Sequence, residues 1–148
     1  MQWDEWLGSM DGRPTLWVKH LLCGSGRHVD LHKMVAKDDP DCFHTHPAYA
    51  VRVILWGGYV EELEGGRHRM WRPGMLSIVR PPCSHRIAGL RNGRMSISLW
   101  IRFRKRAKVE LRGGGWAGMA QTYRDPNTVL IGNGQLPTNR TGETDGRE

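Results

Sequence analysis

Apolar and polar residues alternate with a period of two along most of this chain. Met95, Ile97, Leu99, Ile101 and Phe103 alternate with Ser96, Ser98, Trp100 and Arg102, the period of a half-buried strand. Arg27 to Ala36 reads the same way, with Val29, Leu31 and Val35 on one face and His28, Asp30, His32 and Met34 on the other. Leu16 to Cys23 is a strand that ends at the turn Gly24-Ser25-Gly26. Ala50 to Trp56 is β-branched and apolar, as expected of a buried strand. Gly57-Gly58 bends it, Tyr59 to Leu63 continues, and Gly65-Gly66 signals a hairpin returning through His68 to Trp71. Arg72-Pro73-Gly74 turns into a strand at Met75 to Val79. A loop at 80–84 delivers a strand at His85 to Leu90, and Asn92-Gly93 marks another turn.

Helical spacing is confined to Trp3, Trp6 and Leu7, which predict a short N-terminal helix over Trp3 to Met10. Eight or more short strands separated by turns predict an all-β sandwich or barrel of antiparallel strands. With 148 residues the chain is long enough for one domain. The alternation decays after about Leu111, and from Gly132 onward the sequence is Gly, Asn, Thr, Pro and charge. We therefore expect a β-domain over 1–112 and an irregular, partly flexible tail over 113–148.

Charge changes this picture little. The formal net charge is +7, with basic residues dense from Arg102 to Lys108. No helix-turn-helix, zinc-finger or RRM motif accompanies them, so a solvated strand end is expected rather than a nucleic-acid contact. A positive field that draws in an anionic small substrate is the other reading. No apolar run of about 18 residues is present, and the N-terminus lacks the basic and apolar regions of a signal peptide. Cys23, Cys42 and Cys83 are odd in number and lack CxxC spacing, which predicts reduced thiols in a cytoplasmic protein without membrane association.

The candidate chemistry lies in Phe43-His44-Thr45-His46-Pro47. Residues i and i+2 of a strand share a face, so His44 and His46 present two imidazoles to one side, roughly 6–7 Å apart along the strand. That suits two cis ligands of one metal ion. Tyr49, Tyr59, Glu61 and Glu62 are candidates for acid–base or supporting roles. His32 stands open as a further ligand, a supporting partner or a packed ring. Arg52 points inward if the face of the histidine pair continues through 50, 52 and 54. If Pro47 shifts the register, Val51, Val53 and Leu55 line the cavity and Arg52 faces solvent, and the apolar set favours this second arrangement. Cys42 shares the ligand face by alternation. His68 is expected at the surface, and no partner is assigned to His20 or His28.

In the order of these signals the chain resembles the cupin superfamily. The family's first motif is usually written G(x)5HxH(x)3–4E(x)6G. Here Asp38 stands at its first Gly, His44 and His46 at the HxH, and Gly57 or Gly58 at the closing Gly. The second motif is usually G(x)5PxG(x)2H(x)3N. Gly74 and His85 have its separation, whereas Arg80, Pro82 and Gly89 replace its Pro, Gly and Asn. The likeness covers about residues 15–110. It is closer to small bacterial and phage cupin-like proteins, through Leu31-His32-Lys33, Asp38-Asp39, the HTHP stretch, Gly57-Gly58-Tyr59-Val60-Glu61, Arg72-Pro73-Gly74 and Arg80-Pro81 followed by His85-Arg86.

The resemblance implies a double-stranded β-helix, that is, a jelly-roll barrel. Where the motif has its glutamate this chain has Ala50-Val51. The implied ligand set is therefore His44, His46 and His85, as in the three-histidine thiol dioxygenases, which hold Fe(II) and leave positions open for substrate and O2. The implied function is a small-molecule Fe(II) dioxygenase-like enzyme, with Zn, Ni or Mn fitting the same nitrogen donors. The alternatives are a metal-dependent isomerase, epimerase or hydrolase on an anionic substrate, and a non-catalytic binding protein, including one that has lost its metal. Pairing into a homodimer is common in the family.

Overall fold

The period-two segments form strands that pair into two sheets. In a computed structural model, residues 1–8, 13–114 and 128–131 are described. The strands are β1 (Glu5–Gly8), β2 (Pro14–Gly24), β3 (Arg27–Met34), β4 (Phe43–His44), β5 (Ala50–Trp56), β6 (Tyr59–Leu63), β7 (Arg67–Trp71), β8 (Leu76–Val79), β9 (His85–Leu90), β10 (Ser96–Arg102), β11 (Val109–Arg112) and β12 (Thr128–Ile131). A 3-10 turn at Arg91–Gly93 joins β9 to β10. One sheet has the order β1-β2-β3-β10-β5-β8 and the other β12-β11-β4-β9-β6-β7. Pairing is antiparallel except between β11 and β12. No helix among the described residues is long and apolar enough to cross a membrane.

The expected N-terminal helix is a strand instead. Glu5, Trp6 and Leu7 pair with Val18, Trp17 and Leu16 of β2. A helix this short completes few internal hydrogen bonds and is marginal in water, whereas the edge of β2 offers ready backbone partners. Trp6 meets Trp17 across the pair, with ring centroids 6.2 Å apart. Residues 9 and 10 of that expectation lie outside the described residues, as does most of the expected tail. Within the tail, Thr128–Ile131 pairs with β11 in register Val109↔Thr128 to Arg112↔Ile131.

The two inner faces enclose a small apolar core and a polar cavity. Ile54, Tyr59, Trp71 and Ile87 form one buried cluster, with contributions from both sheets. Burying each such side chain contributes roughly 1.5–3 kcal/mol. Ala50, Val79 and Trp100 form a second cluster. The bend after β5 is made by Gly57 (φ 74°) and Gly58 (φ 109°). A Cβ at either would come within 2.2 Å of a backbone carbonyl oxygen, of Met95 and of Trp71 respectively, so only glycine fits.

The inner face of the first sheet is largely polar. On β10, Ser96, Ser98 and Trp100 are buried while Ile101, and Phe103 just beyond the strand, are exposed. Arg52 is 2 % exposed, which corrects the expectation that it faces solvent. The face of the histidine pair does continue through Ala50, Arg52 and Ile54, all buried, and Leu55 is turned outward. Arg52 is satisfied inside by partners that the apolar pattern of its own strand does not reveal.

A three-histidine site backed by a buried carboxylate

Backbone pairing places the first two imidazoles. His44, on the two-residue strand β4, lies directly opposite His85 of β9 and opposite Leu111 of β11. Thr45 is buried on the other side. Its N–H donates to the Glu110 carbonyl at 3.0 Å, and its Oγ1 accepts the Glu110 N–H at 2.9 Å. Pinned there, Thr45 leaves His44 and His46 on a common side, as strand alternation requires.

The three rings converge. Ring centroids are 5.4 Å apart for His44 and His46, 4.8 Å for His44 and His85, and 4.9 Å for His46 and His85. Each offers a ligand nitrogen, and these nitrogens lie within 4.8 Å of one another. Nε2 of His46 is 2.7 Å from Nε2 of His85. Two imidazole nitrogens this close share either a proton or a cation. Cis ligands at about 2.1 Å from one ion sit roughly 3 Å apart, so this pair needs an opening of only a few tenths of an ångström to hold one.

Burial and charge keep His44 and His46 neutral. Burial, and then the neighbouring His85, hold His44 down to about 3. The same causes, with His44 added, hold His46 well below the ordinary histidine value. Nδ1 of His85 faces Oε1 of Glu61. A carboxylate only accepts, so Nδ1 carries a proton and Nε2 is the ring nitrogen turned to the site.

Glu61 is itself held by a buried set of donors. Its Oε1 accepts from Nη1 of Arg52 at 3.2 Å, and its Oε2 accepts from Nε1 of Trp71 at 2.7 Å. Burial would raise its pKa. The hydrogen bond and charge of His85, with Arg52, outweigh that and hold the carboxylate well below the usual range. Arg52 lies over Trp71 with its guanidinium carbon 4.3 Å from the ring centroid, and donates Nε–H to Ser77 Oγ at 2.9 Å. These contacts explain why an arginine is tolerated inside.

The site opens on a cavity of about 290 Å³ between the sheets, whose lining includes His32, Asp38, Tyr59, Ser98, Trp100 and Arg102. His32 lies flat against Trp100, with centroids 4.9 Å apart and planes at 19°. It is not part of the three-histidine group. Burial, and then Arg102, hold its pKa down to about 3. Tyr59 is buried on the wall, where burial pushes its hydroxyl above the ordinary value. Tyr49 is 42 % exposed and outside the lining. Glu62 pairs with Arg86, and His68, at the surface, lies 4.0 Å from Glu62.

Asp38, read from the sequence only as a motif position, lines the cavity. Its Oδ2 accepts the Ile87 N–H at 2.6 Å, and burial raises its pKa. Cys42 is buried beside the site with its thiol pushed up to about 12 by burial and by Asp39 and Asp38. Neither Cys42 nor Cys83 belongs to the three-histidine group. The basic segment folds back toward the mouth: Arg106 and Ala107 donate backbone N–H groups to the Pro47 carbonyl at 2.7 and 3.0 Å, and Lys105 lines the cavity.

No family model and no curated protein matches the sequence. Solved structures do match. A Ralstonia eutropha protein provisionally named mannose-6-phosphate isomerase is 23% identical, with a TM-score of 0.56 over 63% of this chain and 88% of that one. The DMSP lyase DddQ of Ruegeria pomeroyi is 20% identical, with a TM-score of 0.54 over 69% of this chain and 55% of its own. A cupin-like protein of Thermotoga maritima is 16% identical, with a TM-score of 0.50 over 66% of this chain and 76% of its own. Fe(II)-bound HppE is 11% identical, with a TM-score of 0.54 over 63% of this chain, which spans about half of HppE. Two facing sheets, a cluster of His44, His46 and His85 and these neighbours together give this chain a cupin-like fold with a three-histidine site.

Proposed function

We propose that this protein is a jelly-roll metalloenzyme that holds a divalent transition metal on His44, His46 and His85 and performs Fe(II) dioxygenase-like chemistry on a small molecule. The convergence of three ligand nitrogens within 4.8 Å on the wall of a cavity carries this reading. The donor set fits a metal. Burial keeps the rings of His44 and His46 neutral, and three protein nitrogens leave coordination positions for exogenous ligands. Fe(II) in HppE, which shares the fold, supports iron as the first metal to test; Zn, Ni and Mn suit the same nitrogens.

Bound there, Fe(II) would supply O2 activation beside the substrate. The chain's own residues do the rest. Glu61 fixes a proton of His85 at Nδ1, and Arg52 and Trp71 hold the Glu61 carboxylate in place by donating to it. Tyr59, its proton retained by burial, offers a hydrogen-bond donor on the wall. Arg102, ion-paired with Asp30, and Lys105 lie on the cavity lining and offer cationic donors to an anionic substrate. Tyr49 lies outside the lining.

A second reading is favoured by Asp38, a cavity carboxyl whose raised pKa suits proton transfer. With Tyr59 it could serve a lyase or isomerase in which the metal acts as a Lewis acid, and DddQ shares the fold. Protein from iron-replete cells should contain metal, rebind it after chelation, and lose it at this site on His44→Ala. Oxygen-dependent turnover of small carboxylates or thiols selects the first reading. Turnover that survives without oxygen and with Zn selects the second. Absence of metal, with His44→Ala indistinguishable from the parent, overturns both.

A further inference from the structure

We propose a second, thiolate-containing metal site on the β2–β3 hairpin, made by His20, Cys23 and His28. Their ligand atoms lie within 4.8 Å of one another, forming a separate group from the three histidines of the cavity. The site depends on an irregularity of the strand. Positions 20 and 23 of a regular strand face opposite sides. Here the register slips between His20 and Leu22, so that His20 opposes Asp30, Leu22 opposes Val29 and Cys23 opposes His28. The extra residue brings Cys23 round to the face of His20 and His28. A two-residue turn, Ser25 (φ 50°) and Gly26 (φ 73°), closes the hairpin just beyond.

Two further observations point to a ligand. Nδ1 of His20 donates to Oδ1 of Asp30 at 2.7 Å, and Asp30 is fully buried and also held by Nε of Arg102 at 2.6 Å. This carboxylate–histidine arrangement fixes the tautomer and leaves Nε2 of His20 as a donor to a metal, as outer partners of zinc-bound histidines do. Nδ1 of His28 is buried with no hydrogen-bond partner, a rare condition that a cation or its bound water would relieve. Glu5 Oε1, 3.6 Å from Nε2 of His20, is placed to supply a fourth donor.

One thiolate and two imidazoles suit zinc, whose ligands sit roughly 3.3–3.7 Å apart in a tetrahedral site. The group must therefore tighten by about 1 Å. Cys23, exposed at the hairpin end, is the member free to swing, and its thiol proton leaves to solvent as the sulfur–metal bond forms.

Cobalt(II), which replaces zinc and gives thiolate-to-metal absorption only when sulfur is a ligand, tests this on the full chain. Metal-free protein titrated with Co(II) should show that absorption. Cys23→Ser should abolish it and His20→Gln weaken it at least tenfold, whereas His46→Ala should leave it intact. Zinc should also slow alkylation of Cys23 in the parent but not in His28→Gln. Sulfur absorption unchanged in Cys23→Ser, or absent from the parent while Co(II) occupies the cavity histidines, overturns the proposal. Loss in His46→Ala alone would assign the metal to the cavity site.

Discussion

Nδ1 of His85 is hydrogen-bonded to Glu61, so a carboxylate stands behind one histidine of the cluster rather than within it. Glu61→Gln keeps the shape but cannot hold the Nδ1 proton as firmly. Metal affinity at the cavity site should fall by about 10–100-fold. The substitution also leaves Arg52 buried without its counter-ion, and losing one member of a buried pair costs about 3–5 kcal/mol. Calorimetric metal titration and chemical denaturation of the same variant separate the two effects. The double variant Arg52→Met, Glu61→Gln should recover part of the stability and none of the affinity. Equal metal binding by Glu61→Gln and the parent would show that Glu61 only shields Arg52.

His32 divides the readings of the ligand set. It stacks on Trp100 and stands apart from the three-histidine group. His32→Phe should therefore preserve the stacking and bind metal with affinity within about threefold of the parent, whereas His44→Ala, His46→Ala and His85→Ala should each abolish stoichiometric binding at the cavity site. Elemental analysis after reloading measures this. If His32→Phe loses metal as completely as His85→Ala, the site is a closed four-histidine one, and a non-catalytic binding role gains support.

The legible part of the site was what strand geometry controls. His44 and His46 follow from alternation on a strand, whereas His85 came only from the cupin resemblance, whose second motif sets its distance beyond Gly74. Glu61 could be marked as a candidate but not placed, because its role depends on the register that sets it opposite Ile87 of β9 and Arg69 of β7. Arg52 was misjudged because Val51, Val53 and Leu55 made the odd positions look like the core. Where a sheet lines a polar cavity its inner face carries Arg52, Ser98 and Trp100, and the apolar set turns outward. Trp3, Trp6 and Leu7 misled in a different way: helical spacing over so few residues yields to the edge of β2.

The titration of His32 predicts acid sensitivity. Its folded pKa of about 3 lies below the ordinary 6.5, so the unfolded chain takes up a proton that the fold refuses. The full stability is present above pH 6.5 and is lost progressively as pH falls toward 3, by up to about 1.4 kcal/mol per pH unit for each such group. His44, held down to about 3, acts in the same direction. His32→Phe should flatten the slope of stability against pH between 6 and 4 by about one proton. Urea denaturation across that range measures it. An unchanged slope would mean that His32 is protonated within the fold.

The outward apolar face of the first sheet predicts self-association. Val51 lies opposite Ile78 and Ile101, and Val53 opposite Leu76 and Leu99. These side chains make a continuous stripe across β10, β5 and β8. Leu76 and Ile78 are 63% and 64% exposed, far beyond what a solvent-facing strand needs. Contiguous exposed apolar surface on a sheet marks an interface, and a stable one buries about 800 Å² on each partner. A two-fold pairing would place Ile78 in both halves, so Ile78→Lys introduces two charges into one contact. The parent should sediment as a dimer at micromolar concentration. Ile78→Lys should sediment as a monomer and bind metal normally at the cavity, because residue 78 points away from it. A parent that stays monomeric at every concentration would remove the face as a contact between copies.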